Sequence, residues 1–281
     1  MLYIVIAALF SVSVSIALKL YKQKNLDIYQ ILTFNYVSAS ILAYLWLQPD
    51  FSSLNLHSPW WLIIVLGILL PGVFWCLDRS LQDAGLMKTE IAQRISVVLT
   101  ILISALIYQE YFSILKITGI ILGVIAVIFM LIGQKNTVET KTTIPVSLIS
   151  VWIGYAVIDL LFKYTASLGL KFSASLTAIF MLSTILMLIF NILRRCKWHW
   201  HNVIAGLLLG LFNFANIALY LQAHQQLKDN PSVVFAGMNI LVVVFGMLAA
   251  IFIFKEKVTT NKLCGAVCAI IAVYVLMQSM I

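Results

Sequence analysis

Charged side chains are scarce in this sequence. Asp, Glu, Lys and Arg make up 10% of the 281 residues, whereas apolar residues make up 63%. Soluble domains carry about a quarter of charged residues, so water cannot be the solvent for most of this surface. The shortage excludes an ordinary water-soluble protein and indicates a polytopic protein whose surface faces a lipid bilayer.

Polar sequence between the apolar segments is also scarce. Ten apolar segments of roughly 15–24 residues, close to the length that crosses a bilayer, fill the chain. The residues left over are too few for an extramembrane domain, so we expect the function to reside in the helix bundle. The predicted spans are residues 2–20, 28–47, 60–81, 87–108, 114–133, 144–164, 173–193, 203–222, 231–254 and 263–277.

Motifs for metal, nucleotide or covalent chemistry are missing. Cys264 and Cys268 lie one helical turn apart, but no His or carboxylate accompanies them on that helix. The sequence contains no Walker A loop and no Ser or Cys beside a base in a recognisable arrangement. We therefore expect no cofactor and no metal, and an intramembrane enzyme is the weakest interpretation. The net charge of +8 lies in short connections, where it sets topology and meets anionic lipid rather than nucleic acid.

One polar stretch divides the chain into two halves. Residues 134–143 form a predicted linker between a first unit, residues 1–133, and a second unit, residues 144–281. A shift of 146 residues places 81–127 over 227–273 without a gap, and it pairs charged loop positions, Glu110 with Glu256 and Lys116 with Lys262. Five helices per unit force the second copy to enter the membrane inverted. We predict an all-α membrane protein whose ten transmembrane helices form two inverted five-helix repeats.

The two units share a sequence pattern at the end of their fourth helix. Each has a Glu corner, then a Lys and a helix opened by glycine: YQEYFSILKITGIILGVIAV and FKEKVTTNKLCGAVCAIIAV. In this pattern the chain resembles the EamA-type branch of the drug/metabolite transporter superfamily over nearly its whole length. The glycine usual before the corner Glu is replaced by Gln109 and Lys255. The resemblance implies a secondary transporter with a central cavity lined by helices 1–4 and 6–9, helices 5 and 10 being peripheral.

Polar side chains inside the spans indicate which helix faces line that cavity, because polar groups facing lipid are costly. They recur at three- and four-residue spacing on predicted helices 1, 4, 6 and 8. The candidate substrate-binding residues are Lys19, Glu90, Gln93, Arg94, Tyr155, Asp159, Lys163, Asn213, Asn216, Tyr220 and Asn239, with Trp75 and Trp152 as candidate pocket walls. Asn213 and Asn216, both in the middle of a span, are the hardest to explain structurally, since each amide needs several partners.

Several of these residues also have a structural interpretation. Lys19 and Lys163 lie near helix ends, where a lysine extends its ammonium to the membrane surface. Asp159 with Lys163, and Glu90 with Arg94, have the four-residue spacing of ion pairs within one helix.

Two other features also have two interpretations. His224 is expected at the membrane interface, with a proton carrier as the alternative. The glycines Gly119 and Gly123 permit close helix packing, including contacts between two copies in a homodimer.

The first functional hypothesis is a secondary transporter for a small polar or zwitterionic metabolite, plausibly an amino acid. Arg94, Lys19 and Lys163 are candidates for binding a carboxylate, and Asp159 and Glu90 for binding an amine or carrying a coupling proton. A second hypothesis is transport of an anionic metabolite, such as a sugar phosphate or organic acid, bound by the basic residues. A structural or receptor protein is the alternative from another class.

The expected location is the inner cell membrane, with many passes. Lysines and arginines concentrate in the connections after odd-numbered spans, so the positive-inside rule predicts that both termini lie outside the cytoplasm. The resemblance implies the opposite orientation, with both termini inside.

Overall fold

The structure is a computed structural model that describes residues 1–24, 26–54, 58–83, 86–109, 112–131, 145–168, 172–253 and 260–279. These residues form ten α-helices. The helices are α1 (Leu2–Gln23), α2 (Ile28–Leu47), α3 (Trp60–Asp83), α4 (Leu86–Tyr108), α5 (Ile114–Leu131), α6 (Val146–Ala166), α7 (Phe172–Leu193), α8 (Trp200–Gln226), α9 (Pro231–Phe252) and α10 (Thr260–Gln278). The predicted linker and the corner residues Glu110, Lys255 and Glu256 lie outside the described residues.

Each helix lies on one of the predicted apolar segments, and the main differences are at the ends. The helix α1 continues beyond the predicted span, to Gln23. The helix α8 begins before its predicted span, at Trp200, and ends after it, at Gln226. Backbone hydrogen bonding continues a helix beyond the hydrocarbon core, whereas the apolar pattern ends at the core. Hydropathy therefore predicted where the helices lie more accurately than where they end.

The outer surface of the bundle is apolar. Side chains such as Leu106, Ile114 and Leu193 keep about four fifths of their surface exposed, at 81%, 85% and 77%. Six helices of the described chain, α2, α3, α6, α7, α8 and α9, combine the length and hydropathy needed to cross a bilayer. The other four contain shorter apolar segments of 10–17 residues. The protein is therefore an integral, multi-pass membrane protein.

Helices of the first half pack mainly against helices of the second half. The helix α1 contacts α8 and α9, and α6 contacts the corresponding α3 and α4. Likewise α2 packs against α8, and α7 packs against α3. The remaining principal contacts, α2 with α7, α4 with α9 and α5 with α10, each join helices of equal rank in the two halves.

The helices α5 and α10, which have equal rank in the two halves, run in opposite directions. In the α5–α10 pair, a Cβ on Gly119 would lie 2.8 Å from Leu276 Cγ, and a Cβ on Gly123 would lie 3.9 Å from the Cβ of Ala272. Position numbers rise along α5 as they fall along α10, so the pair is antiparallel. The glycines that were candidates for contacts between two copies are therefore used inside one chain.

Candidate functional site

The centre of the candidate site is a carboxylate well inside α6. Asp159 Oδ1 accepts a hydrogen bond of 3.1 Å from the hydroxyl of Tyr220 on α8. Asp159 is only partly buried, although it lies far from either end of its helix. A carboxylate in this position must reach water or a polar partner inside the bundle, because exposure to lipid is costly. Its surroundings therefore form a polar site within the bundle.

Other helices bring polar groups to the same carboxylate. Tyr155 precedes Asp159 by one helical turn, and Arg94 on α4 interacts electrostatically with both residues. From α2, Tyr36 interacts with Tyr155, and its buried hydroxyl has no hydrogen-bond partner among the described residues. Opposite charges and phenolic hydroxyls from α2, α4, α6 and α8 thus lie close enough to interact electrostatically. We call Tyr36, Arg94, Tyr155, Asp159 and Tyr220 the central cluster.

Two asparagines continue the α8 face that carries Tyr220. Asn216 lies one turn before Tyr220, is half-buried, and has an Oδ1 with no partner in the described part of the chain. Asn213 lies about two turns before Tyr220 and is 9% exposed. A side-chain carbonyl oxygen without a donor is costly in a protein interior, so Asn216 is available for a hydrogen bond with a bound molecule or water.

A narrow crevice with a cavity volume of only about 10 Å³ lies between α4, α5 and α9 beside the central cluster. Arg94 and Asn239 are its polar members, and Asn239 donates through Nδ2 to the Phe235 carbonyl of its own helix at 3.1 Å. The other lining residues are apolar: Ile95, Val97, Ile101, Ile120, Gly123, Val124, Val127, Ala236 and Ile240. The crevice therefore offers an apolar wall next to a cation.

His224 lies one turn beyond Tyr220 and is completely buried. Its ring is 4.8 Å from the ring of Tyr220 and 4.7 Å from that of Phe235 on α9, measured between centroids. Neither ring nitrogen has a hydrogen-bond partner among the described residues. The bundle therefore encloses the imidazole, because α6 and α9 pack against α8, and the predicted position of His224 at the membrane interface stays a prediction.

Lys163 belongs to the same layer as His224. It is 3% exposed, donates to the Lys228 carbonyl at 3.1 Å, and its ammonium lies 5.3 Å from the centre of the Tyr108 ring. Its charge also acts on His224. The ammonium therefore does not extend to the surface, because the start of the α8–α9 connection covers it.

A second polar cluster lies at the opposite end of α8, and the sequence analysis missed it. Gln30 on α2 donates through Nε2 to the Lys197 carbonyl at 2.9 Å. Its Oε1 accepts from the His199 backbone N–H at 3.2 Å and from Asn202 Nδ2 at 3.0 Å. One buried amide therefore fixes the start of α2 against the α7–α8 connection.

Hydrogen bonds and ring contacts continue this second cluster across α3 and α7. Tyr29 donates its hydroxyl to Asp78 Oδ2 at 3.0 Å, and the Arg194 guanidinium lies 4.4 Å from the centre of the Tyr29 ring. Asn191 donates to Thr33 Oγ1 at 2.8 Å. The predicted list omitted these residues because they lie near span ends, where polar residues normally meet water. The sequence signal for this cluster was the large number of polar residues on helices that face one another. Recognising it would have required a prediction of which helices pair.

Comparison with known proteins agrees with this architecture. Residues 1–132 match the EamA-like transporter family. The chain belongs to the EamA-like transporter family. It is 37% identical over 283 aligned positions to an uncharacterized protein of Haemophilus influenzae, covering 97% of this chain and 96% of that protein. A solved structure described only as "Crystal structure of protein" superposes with a TM-score of 0.72 at 12% identity, covering 99% of this chain and 96% of the other, which shows the fold alone.

Family membership fixes the general activity. The EamA-like protein is a membrane transporter of small molecules. Within the residues that the structure describes, no group of three His, Cys, Asp or Glu side chains is arranged to hold a metal ion.

The remaining predicted site residues of the EamA-like protein are not members of the central cluster. Trp75 and Trp152 keep 55% and 36% of their surface exposed, as is typical of positions that face lipid, so the proposed site omits both. Gln93 is half-buried on α4, next to Arg94. The side chains of Lys19 and Glu90 lie outside the described part of the structure. Lys163 lies one turn beyond Asp159, in the layer of His224, rather than in the central cluster.

Proposed function

We propose that this EamA-like protein is a secondary transporter for a small zwitterionic metabolite, with an amino acid as the best candidate. The observation that carries the proposal is the central cluster, in which a carboxylate and a guanidinium from different helices interact inside the bundle. A zwitterion carries the two complementary charges on adjacent atoms. Asp159 binds its ammonium, and Arg94 binds its carboxylate.

The neighbouring side chains orient the substrate in this proposal. Tyr155, the unpartnered hydroxyl of Tyr36 and the unpartnered Oδ1 of Asn216 supply hydrogen bonds around the two charges. The crevice beside Arg94 is lined mainly by apolar side chains but has room for about one water molecule, so it receives an apolar substituent only if α4 and α9 move apart. The same carboxylate, Asp159, is the proposed carrier of a coupling proton, which it holds when the substrate ammonium is absent.

Alternating access follows from the proposed duplication. We propose that α1–α5 and α6–α10 are inverted copies, and two observations support it. Replacing each helix by its counterpart in the other half turns one principal contact into another. The α1–α8 contact, for example, becomes the α6–α3 contact. The counterparts α5 and α10 run antiparallel. Two such halves rock about a site between them, as in other carriers built from inverted repeats.

The inner cell membrane is the proposed location. A homodimer also stays a prediction, and it would use a surface other than Gly119 and Gly123, which pack inside one chain.

Uptake into proteoliposomes tests the proposed function. Purified protein is reconstituted with a panel of labelled amino acids inside or outside, and exchange is measured with and without a pH gradient. Asp159→Asn and Arg94→Gln should each reduce exchange about tenfold or more, because each removes a charge-assisted hydrogen bond to the substrate, worth about 1.5–3 kcal/mol. Asp83→Asn is the matched control, since Asp83 lies at the exposed end of α3, where it accepts from Ser147 at 2.8 Å.

Two results would contradict the proposal. Exchange that is unchanged in both Asp159→Asn and Arg94→Gln would remove the central cluster from the transport pathway. Competition by phosphate esters or dicarboxylates, without competition by amino acids, would replace a zwitterion with an anionic substrate.

A further inference from the structure

In the described part of the second half, His224 is the one buried side chain whose two polar atoms both lack a hydrogen-bond partner. Its exposure is 0%, and neither of its ring nitrogens has a hydrogen-bond partner among the described residues. Buried polar groups in folded proteins are nearly always hydrogen-bonded, so an isolated imidazole needs an explanation. A packing role alone would be served better by leucine or phenylalanine, which carry no polar atom.

The surroundings of His224 join the central cluster to the end of the bundle. On α6, Asp159 and Lys163 are one turn apart, and on α8, Tyr220 and His224 are one turn apart. Asp159 bonds Tyr220 at the inner level, and the charge of Lys163 acts on His224 at the outer level. We call these four residues the α6–α8 ladder. It runs from the proposed substrate site to the α8–α9 connection.

Several helices contribute groups that bear on the charge of His224, and α1, which also packs against α8 and α9, carries the titratable Tyr3 at its start. Lys163 comes from α6, the Tyr220 ring from α8, and the Phe235 ring from α9. Tyr108 of α4 lies against Lys163. On α2, the titratable Tyr36 lies deeper, where it interacts with Tyr155. The described surroundings thus present a positive charge and two aromatic rings to the imidazole.

A second positive charge is unfavourable in this environment. Protonated His224 would be a cation without solvent, without a hydrogen-bond acceptor among its described neighbours, and within reach of the Lys163 charge. The imidazole is therefore neutral while this end of the bundle is closed. It can take a proton only when α8 and α9 separate enough to admit water.

We propose that His224 is a proton-binding gate residue, neutral when the α6–α8 end is closed and protonated when that end is open. The inference rests on the proposed function, since it assigns the control of alternating access to one side chain. By linkage, a ligand that binds only the open state must shift the population toward that state. The ligand here is the proton, and histidine changes charge in the range where such a shift is physiological. Acidification therefore opens this end.

Thiol labelling tests the gate without any substrate. The four native cysteines are replaced by alanine, and Phe235→Cys places one thiol against the His224 ring. Labelling by a charged, membrane-impermeant maleimide is measured in nanodiscs at about pH 5.5 and about pH 8, which bracket histidine titration. The same measurement with His224→Gln corrects for the pH dependence of the thiol itself, because only residue 224 differs.

The expected result is a several-fold higher labelling rate at the lower pH with His224 than with His224→Gln. His201→Gln is the matched control, since His201 is an exposed histidine near the start of α8, and it should keep the pH response. Equal pH responses with His224 and His224→Gln overturn the proposal. If Phe235→Cys prevents folding, Leu227→Cys at the end of α8 replaces it.

The gate and the proposed function fail separately. A pH response that depends on His224, in a protein that exchanges no amino acid, supports the gate and contradicts the substrate assignment. Amino-acid exchange that depends on Asp159, in a protein whose labelling ignores residue 224, supports the transporter and overturns the gate.

Discussion

Substitution of glycine by alanine should have opposite effects on stability at two positions. These are Gly206, where α8 packs closely on α2, and Gly246 in α9. A Cβ on Gly206 would lie 2.5 Å from the Ile31 carbonyl oxygen and 2.6 Å from Phe34 Cβ. A Cβ on Gly246, within α9, would meet nothing within 4 Å. Replacing each glycine by alanine adds the same methyl group, in one case against a rigid backbone and in the other into open space.

The magnitudes follow from these distances. Ordinary contact begins at 3.4 Å, so α2 and α8 must separate by about 0.9 Å, the difference between 3.4 and 2.5 Å, to admit alanine at position 206. Overpacking of this kind costs about 1–3 kcal/mol. At Gly246 the change relieves the entropic cost of a helical glycine, which is about 0.5–1 kcal/mol. Gly206→Ala should therefore destabilise the protein and Gly246→Ala should slightly stabilise it.

Thermal unfolding of the purified protein, followed by tryptophan fluorescence, checks both signs. For chains of about 150–250 residues each kcal/mol shifts the midpoint by about 2–4 °C, so Gly206→Ala should lower it by roughly 2–12 °C. Gly246→Ala should leave it unchanged or raise it by a few degrees. A Gly206→Ala midpoint equal to or above that of Gly246→Ala would refute the close approach of α2 to α8.

Three further predictions concern the polar clusters and the topology. Gln30→Ala should destabilise the fold by about 1–3 kcal/mol, because it leaves buried partners unpaired, whereas Ala at the exposed Gln226 should have little effect in the same thermal assay. Tyr220→Phe should lower amino-acid exchange about tenfold by removing a hydrogen bond to a carboxylate, worth about 1.5–3 kcal/mol, with Tyr44→Phe on the exposed face of α2 as control. A reporter fused after Ile281 should be active outside the cytoplasm if the distribution of positive charge sets the topology, and cytoplasmic activity would reject that count.

The positions of the helices were predictable because hydrocarbon imposes a strong constraint. Every backbone polar group in the bilayer must be bonded within its own segment, so an apolar segment of this length is a helix. The ends were less predictable, as α8 illustrates. It begins at Trp200 and ends at Gln226, both outside the apolar run of residues 203–222.

The site was predictable only along single helices. Four-residue spacing singled out Tyr155 and Asp159, and separately Asn216 and Tyr220, because residues on one face of a helix can be identified from sequence. The hydrogen bond that joins Asp159 to Tyr220 depends on α6 packing beside α8, which no local pattern encodes. Tyr36 was missed for the same reason, since a tyrosine in an apolar helix gives no sign of facing a charge on another one.

The two ends of the bundle differ in chemistry at positions related by the proposed duplication. His224 and Asp78 are 146 residues apart, the same shift that superposes the halves. Asp78 accepts a hydrogen bond from Tyr29, whereas His224 lies against aromatic rings, near the charge of Lys163, and has no hydrogen-bond partner among the described residues. A bonded carboxylate stabilises closure of its end, while an unbonded imidazole makes closure costly at the other. If the halves are inverted copies, the two gates have diverged, and acidification acts on one end of the transporter rather than on both. A carrier with one proton-sensitive end opens that end more often when the solution on that side is acidified, whereas the direction of net transport follows the gradients of the substrate and of any coupled proton.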